Sequence, residues 1–360
     1  EGVRVIDLSV WLQGPTAAQL LADAGAEVLH IENSLTGGDY ARGVKSMGVF
    51  PMGDWNYYFG VVNRGKKSVA LDLTQPEAQE VIYRLVRKAD VFLTNQLPRV
   101  LAKLNLSYEK LREINPKLVF ATNTGYGLVG GVETPAYDMT LQALTGIMKR
   151  LGEPGQPPIY LGLGSGDTYG GLMCAWGIVA ALRHARQTGE GQHVDASLYG
   201  SQVFLAAPSL QPYLATGNTE FSTQQSRTRA RNAMWNTYRT KDDRWVQLCV
   251  EDTEQNWSRF CESLGDSVLT KDERFADIEL RAENSAALIE KLDNCIADRT
   301  ASEWLTVWQE LGFPAVLIQT FAECANDLDA WANDYLLDVE WASKGPDEKG
   351  MLRGLSVRLS

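Results

Sequence analysis

The chain has 360 residues, 44% hydrophobic and 22% charged, which suggests two globular domains and excludes a disordered chain. Its formal net charge of −11 argues against a general nucleic-acid binder, because neutralising phosphates takes a basic face. An anionic small ligand stays open, since a few lysines and helix N-termini suffice to hold one.

Residues 2–10 read as a buried strand, and Gly14 and Pro15 then open a helix over 16–24 with the proline near its first turn. Gly25 ends that helix and 26–32 form a second strand, a β-α-β unit that predicts a parallel sheet. A helix over 76–89 feeds a strand at 91–94, and one over 108–114 feeds 118–123. Strands alternating with helices make this half a doubly wound α/β domain, in which ligands gather beyond the carboxyl ends of the strands. A glycine-rich stretch, 162–166, then leads to Asp167 and a helix of small and apolar residues over 168–186. Asp167 has two readings here. It is a helix N-cap, or it is a carboxylate among backbone N–H groups with little bulk around it, open to a large substrate.

Residues 200–223 are mixed and turn-rich, which suits a linker. Beyond it, 233–250 predict two strands joined by a tight polar turn at 241–243, and helices follow over 256–264, 285–299 and 301–311. That is a smaller α+β domain. The five cysteines (Cys174, Cys249, Cys261, Cys295, Cys324) are scattered, and Cys174 and Cys249 lie in apolar runs that read as core. With three histidines (His30, His184, His193) no metal-ligand spacing emerges, so no metal is expected. The apolar run 172–182 is too short to cross a bilayer, and a cytoplasmic location is expected. Both ends look trimmed: the chain starts at Glu1 without methionine and stops in a strand-like stretch, so its C-terminal end is expected to be incomplete.

Several short stretches add up to more than each says alone. They are Val5-Ile-Asp-Leu with Gly14-Pro15, Leu21-Ala-Asp-Ala-Gly-Ala-Glu-Val28, Lys66-Lys67-Ser68, Ala89-Asp-Val-Phe-Leu-Thr-Asn95, Tyr137-Asp138, Gly166-Asp167 and Thr188-Gly-Glu-Gly-Gln192. In this order and spacing the chain resembles the family III CoA-transferases, a family that also contains α-methylacyl-CoA racemases and formyl-CoA transferase. The resemblance implies a Rossmann-like large domain over 1–200 with a parallel sheet, a linker at 201–224, a small α+β domain over 225–325, and a returning linker over 326–360. It also implies a homodimer of two chains threaded as interlocked rings.

By the same resemblance Asp167 is the nucleophile, attacking an acyl-CoA thioester to give an aspartyl anhydride and then an aspartyl-CoA thioester. The coenzyme A contacts it implies are Leu12, Gln13, Asn33, Leu71, Asp72, Leu73, Thr74, Asn95, Gln96, Leu97 and Lys103, with Pro135, Ala136, Tyr137 and Asp138 near the thioester. Backbone amides of 164–166 would support the oxyanion. The formyl-CoA transferase branch has glutamine where Leu12 stands and basic residues where Asn33, Thr74 and Pro135 stand. Arg42, Arg64 or Lys66 are the candidate substitutes for those cations. Its glycine-rich lid is absent between residues 221 and 235, where Arg227, Arg229 and Arg231 read as a solvated loop or as a clamp for a carboxylate or phosphate. Trp11, Trp55, Tyr57 and Tyr58 are candidate walls of an acyl pocket, or else core and dimer interface.

The residues speak against three other activities. A racemase needs a base flanking the substrate, and where that branch has histidine this chain has Tyr137, whose ordinary pKa is about 10. A non-catalytic CoA-binding partner subunit would have no chemical need for Asp167. A nicotinamide-dependent dehydrogenase would carry G-x-G-x-x-G after the first strand, where this chain reads Trp11-Leu-Gln-Gly-Pro15.

Overall fold

The computed structural model describes residues 2–43, 56–130, 134–219, 223–265, 268–339 and 350–353, without the side chains of 57, 337–339 and 350–353. Strand and helix alternate as β1 (Arg4–Leu8), α1 (Gln13–Asp23), β2 (Glu27–Asn33), α2 (Tyr57–Asn63), β3 (Lys67–Leu71), α3 (Pro76–Val86) and β4 (Val91–Thr94). They continue as α4 (Pro98–Lys103), α5 (Tyr108–Ile114), β5 (Val119–Thr124), α6 (Asp138–Leu144), α7 (Ile147–Arg150), α8 (Ser165–Thr188) and β6 (His193–Ser197). The six strands pair in parallel in the order β3-β2-β1-β4-β5-β6. The order reverses between β1 and β4, which puts the topological switch point at their carboxyl ends.

Period-two side chains explain why both faces of this sheet are covered. Val5, Val91, Leu93, Val119 and Ala121 point to one face and pack with Ala17, Leu21, Cys174 and Ile178 of α1 and α8. Ile6, Leu8, Phe92 and Phe120 point to the other and pack with Ile82, Val86, Leu101 and Leu111. Phe92 and Phe120 stack at 5.4 Å across the β4–β5 pair. β1 is shorter than the expected 2–10 because Ser9 folds back on Asp7, donating to Oδ1 from its amide at 3.1 Å and its hydroxyl at 2.5 Å. The edge strands β3 and β6 escape a hydrophobicity reading because each is half exposed and carries polar residues.

Residues 200–223, read as turn-rich, are helical to Thr216: α9 (Leu198–Leu205) and α10 (Ala207–Thr216). The misleading signal was proline. Pro208 sits in the first turn of α10, where a missing N–H leaves no bond unmade, and Gly217 in a left-handed conformation (φ 68°) ends the helix. Cys174 is buried, but Cys249, expected in the core, is only partly covered.

The chain divides into two compact units. The second is built from residues 149–159 and 223–330, so 149–159 group with it rather than with the first. Its antiparallel sheet holds β7 (Thr237–Arg239), β8 (Trp245–Leu248) and β9 (Ala315–Leu317), with the expected turn between β7 and β8 closed by Thr240 N–H to Arg244 O at 2.8 Å. Against it pack α11 (Glu254–Leu264), α13 (Ser285–Ile296) and α14 (Ala301–Glu310), around Trp304 and Trp308 stacked at 5.1 Å, and α12 (Ile278–Glu283) lies against α13. Arg227 of the arginine-rich stretch belongs to this scaffold. Its guanidinium grips the Asp293 carboxylate at 2.9 and 2.8 Å and the Thr237 carbonyl at 3.1 Å.

Candidate active site

α8 starts at Ser165, not at residue 168, and its N-cap is Gly164 in the left-handed region (φ 71°). Asp167 is therefore the third residue of the helix, and the N-cap reading of it is overturned. The turn before α8 is held from α6. Asp138, the first residue of α6 and buried, accepts at Oδ1 from Gly166 N–H at 3.1 Å, Gln142 Nε2 at 3.1 Å and Gln202 Nε2 at 3.2 Å. Gln142 also donates to Gly162 O at 3.3 Å and accepts from Leu161 N–H at 2.7 Å. The amides of Gly164 and Gly166, expected to face an oxyanion, are thus directed at the Asp138 carboxylate instead. An ionised acceptor makes the stronger bond and takes them.

Burial first, and the neighbouring Asp138 charge second, push the Asp167 carboxyl up to about 7. A place in the first turn of a helix favours the anion, so desolvation outweighs the helix field here. Burial likewise raises Asp138, against the hydrogen bonds it accepts. Tyr58 belongs to the same neighbourhood. Its hydroxyl is pushed up to about 12 by burial and then by the negative potential of Asp167, Asp39 and Asp138, so it stays a donor at any ordinary pH. Gly166 is fixed by space rather than by φ, because a Cβ there would collide with Asp138 Oδ1 and the Gln202 amide. Gly166→Ala is expected to destabilise the protein by about 1–3 kcal/mol and to lower activity, measured by thermal unfolding and initial rates.

A pocket of about 300 Å³ opens at the switch point, lined by Asn33, Asp72, Leu73, Thr74 and Gln96 together with Val10, His30, Asp39 and Tyr40. Five of the residues implied as CoA contacts, far apart in sequence, therefore meet in one cavity. The others stand elsewhere. Leu71 closes β3, its carbonyl accepting from Ser34 N–H at 3.2 Å. Asn95 braces the β1 and β4 ends, accepting from Val10 N–H at 3.0 Å and donating to Val10 O at 2.7 Å. Leu97 caps α4 and Lys103 ends it, exposed, one residue before pocket-lining Leu104. Leu12 caps α1 and reaches Gly164, where an added Cβ would lie 3.0 Å from its Cδ1. Gln13 is buried and donates to Ala196 O at 3.2 Å. Pro135 precedes Ala136, whose methyl packs on Gly125, and Tyr137 is 65% exposed at the α6 N-cap. Trp55 and the Tyr57 side chain lie outside the described residues.

The candidate substitute cations are already engaged. The buried Lys66 ammonium donates to Asp7 Oδ2 at 2.9 Å, Asn63 Oδ1 at 2.9 Å and Pro15 O at 3.0 Å. Burial raises the Asp7 carboxyl, but Lys66 and His30, whose Nδ1 lies 3.0 Å away, pull it well below the usual carboxylate range. Arg42 forks onto Glu32 with two bonds of 2.7 Å, and Arg64 pairs with Asp23. These residues tie α1, β1 and β2 together beneath the pocket. No signal in a single sequence separates such a buried network from phosphate ligands.

A six-stranded parallel doubly wound sheet with a pocket at its switch point defines an α/β protein that takes its ligand at the carboxyl ends of its strands. A family model described as CoA-transferase family III matches residues 1–353. The (R)-2-hydroxy-4-methylpentanoate CoA-transferase of Clostridioides difficile is 30% identical over 346 residues, 95% of this chain and 85% of that protein. The acetyl-CoA:oxalate CoA-transferase of Acetobacter aceti is 33% identical over 91% of this chain and 82% of its own. A solved CaiB/BaiF family protein from Brucella suis has a TM-score of 0.88 at 29% identity, covering 100% of this chain and 92% of that one. The chain belongs to CoA-transferase family III. Among the described residues no helix is long and apolar enough to cross a membrane, and no group of His, Cys, Asp and Glu is arranged to hold a metal ion.

Proposed function

We propose that this protein moves CoA from an acyl-CoA thioester to a carboxylic acid, with Asp167 as covalent nucleophile. The observation that carries this reading is a buried carboxylate, pushed up to about 7, in the first turn of α8 after a glycine cap, in a chain whose switch-point pocket gathers Asn33, Asp72, Leu73, Thr74 and Gln96. The Asp167 carboxylate adds to the thioester carbonyl and expels CoA thiolate, leaving an aspartyl anhydride. The thiolate attacks the aspartyl carbonyl and releases the donor acid, leaving an aspartyl-CoA thioester. The acceptor carboxylate repeats the first step on that thioester, and the thiolate then takes the new acyl group and restores Asp167. The thioester bond energy is conserved throughout, and no water enters. The Tyr58 hydroxyl, protonated and close to Asp167, supplies the oxyanion donor that the Gly164 and Gly166 amides do not.

Leu12, Gln13, Leu71, Asn95, Leu97 and Lys103 complete the CoA site around the pocket in this reading, with Pro135, Ala136, Tyr137 and Asp138 at the thioester end. Named relatives act on acids as different as oxalate and 2-hydroxy-4-methylpentanoate. Tyr58, a ring in the neighbourhood of Asp167, favours a bulky acyl group here. The homodimer belongs to the same proposal and is supported by an exposed apolar stripe on α8, Leu172, Trp176 and Val179, at helical spacing. A cytoplasmic location belongs to the same proposal.

The test is peptide mass spectrometry after incubation with a panel of acyl-CoAs, with hydroxylamine trapping. A CoA-sized adduct or a hydroxamate on the Asp167 peptide is expected. Exchange of an α-proton of a branched acyl-CoA without any adduct would move the assignment to the racemases.

A further inference from the structure

Four non-glycine residues among those described have a positive φ: Trp11, Asn105, Asp243 and Asp334. Three are Asn or Asp, which tolerate the left-handed region. Trp11, at φ 71°, is the large one, and for it that conformation is strained. Core packing does not explain it, since the indole is 40% exposed. What holds it is Asp39. One oxygen, Oδ1, accepts from Trp11 N–H at 3.3 Å and from Ala41 N–H at 2.8 Å. That oxygen fastens the turn after β1 to the 3-10 turn Tyr40–Gly43. It brings Trp11 onto Tyr40, itself 53% exposed, with centroids 6.0 Å apart and planes 20° from parallel.

The location of this pair gives the strain a use. Tyr40 lines the switch-point pocket, as does Val10, the residue before Trp11. Leu12, the residue after it, reaches the Gly164 turn that carries Asp167. The aromatic pair therefore stands where the chain passes from the pocket to the nucleophile. Strained residues persist where surroundings over-determine them, and they concentrate at functional sites. A flat, solvent-facing aromatic surface suits a flexible arm of amides and methylenes, which packs on rings without needing a partner for every atom.

We propose that Trp11 and Tyr40 form a saddle for the pantetheine arm of acyl-CoA between the pocket and Asp167, with Trp11 as a positioning residue. This rests on the CoA-transferase reading above. The test compares Trp11→Gly and Trp11→Phe with the parent, using an acyl-CoA, the matching acyl-pantetheine and 3′,5′-ADP. Glycine accepts φ 71° without strain, so Trp11→Gly is expected to unfold at the same temperature as the parent or higher. Its kcat/KM is expected to fall about tenfold or more with both thioesters, because ordering of the arm is lost. Binding of 3′,5′-ADP should stay unchanged, and Trp11→Phe should recover most of the activity. Parent-like kcat/KM in Trp11→Gly overturns the saddle, as does loss of 3′,5′-ADP binding in step with activity, which would place the rings against the nucleotide. A parent protein that neither binds CoA nor transfers it sinks the underlying reading instead, so the two failures are distinguishable.

Discussion

Asp167→Ala is expected to lower CoA transfer by at least about 10³-fold while leaving the fold and CoA binding intact. The magnitude rests on the candidates for taking over among the described residues. Asp138 is the nearest candidate by chemistry, but it is buried and its Oδ1 already accepts from Gly166, Gln142 and Gln202. Turning it toward a thioester would release the α8 turn that it anchors. Tyr58, with its hydroxyl pushed up to about 12, is a poor nucleophile at neutral pH. Steady-state rates and the Asp167 adduct should therefore vanish together, while CoA binding by calorimetry persists. Asp167→Asn needs a time course, since an activated amide can hydrolyse back to aspartate and its activity would then grow during incubation. Full transfer by Asp167→Ala would remove Asp167 from the chemistry.

How far the site could be read in advance varied with the kind of signal. Order and spacing of short motifs led to the family, and the alternation of strands and helices to the parallel sheet. The five pocket residues, Asn33, Asp72, Leu73, Thr74 and Gln96, came from the family resemblance; apolar patterning marks the strand ends before Asn33 and Gln96, whereas β3, ahead of Asp72, is half exposed and carries no such mark. The network of Lys66, Asp7 and His30 was not legible, because a lysine next to a lysine carries no mark of burial until the fold encloses it. Helix starts were the other blind spot. Gly162 and Gly164 read as loop, and the structure begins α8 at Ser165 because Gly164 supplies the left-handed cap. A shift of a few residues there moved Asp167 from a capping role to an inward position in the first turn. The strain at Trp11 is a backbone property with no counterpart in composition or periodicity.

The second large effect concerns pH, and one pKa controls both rate and stability. Asp167 attacks only as a carboxylate. With its pKa near 7, single-turnover formation of the aspartyl adduct should rise about tenfold per pH unit below 7 and level off above about 8. Stability runs the opposite way. An unfolded aspartate titrates near about 3.9, so between about 4 and 7 the native state holds a proton that the unfolded chain has lost, and stability falls as pH rises through that window. Above it the ionised side chain is a standing penalty of about 2–4 kcal/mol, reduced from the full linkage value by the solvent it still touches. Asp167→Asn should therefore melt well above the parent at pH 8 and nearly with it at pH 4, measured by thermal unfolding across the range. Asp138→Asn separates the two causes of the shift. It removes the neighbouring charge and leaves the burial, so the rate midpoint should move below 7 and stop short of an ordinary carboxylate value. A midpoint that stays at 7 would assign the whole shift to desolvation. Parent and Asp167→Asn melting curves that run parallel from pH 4 to 8 would show that Asp167 titrates normally and is not the poised nucleophile.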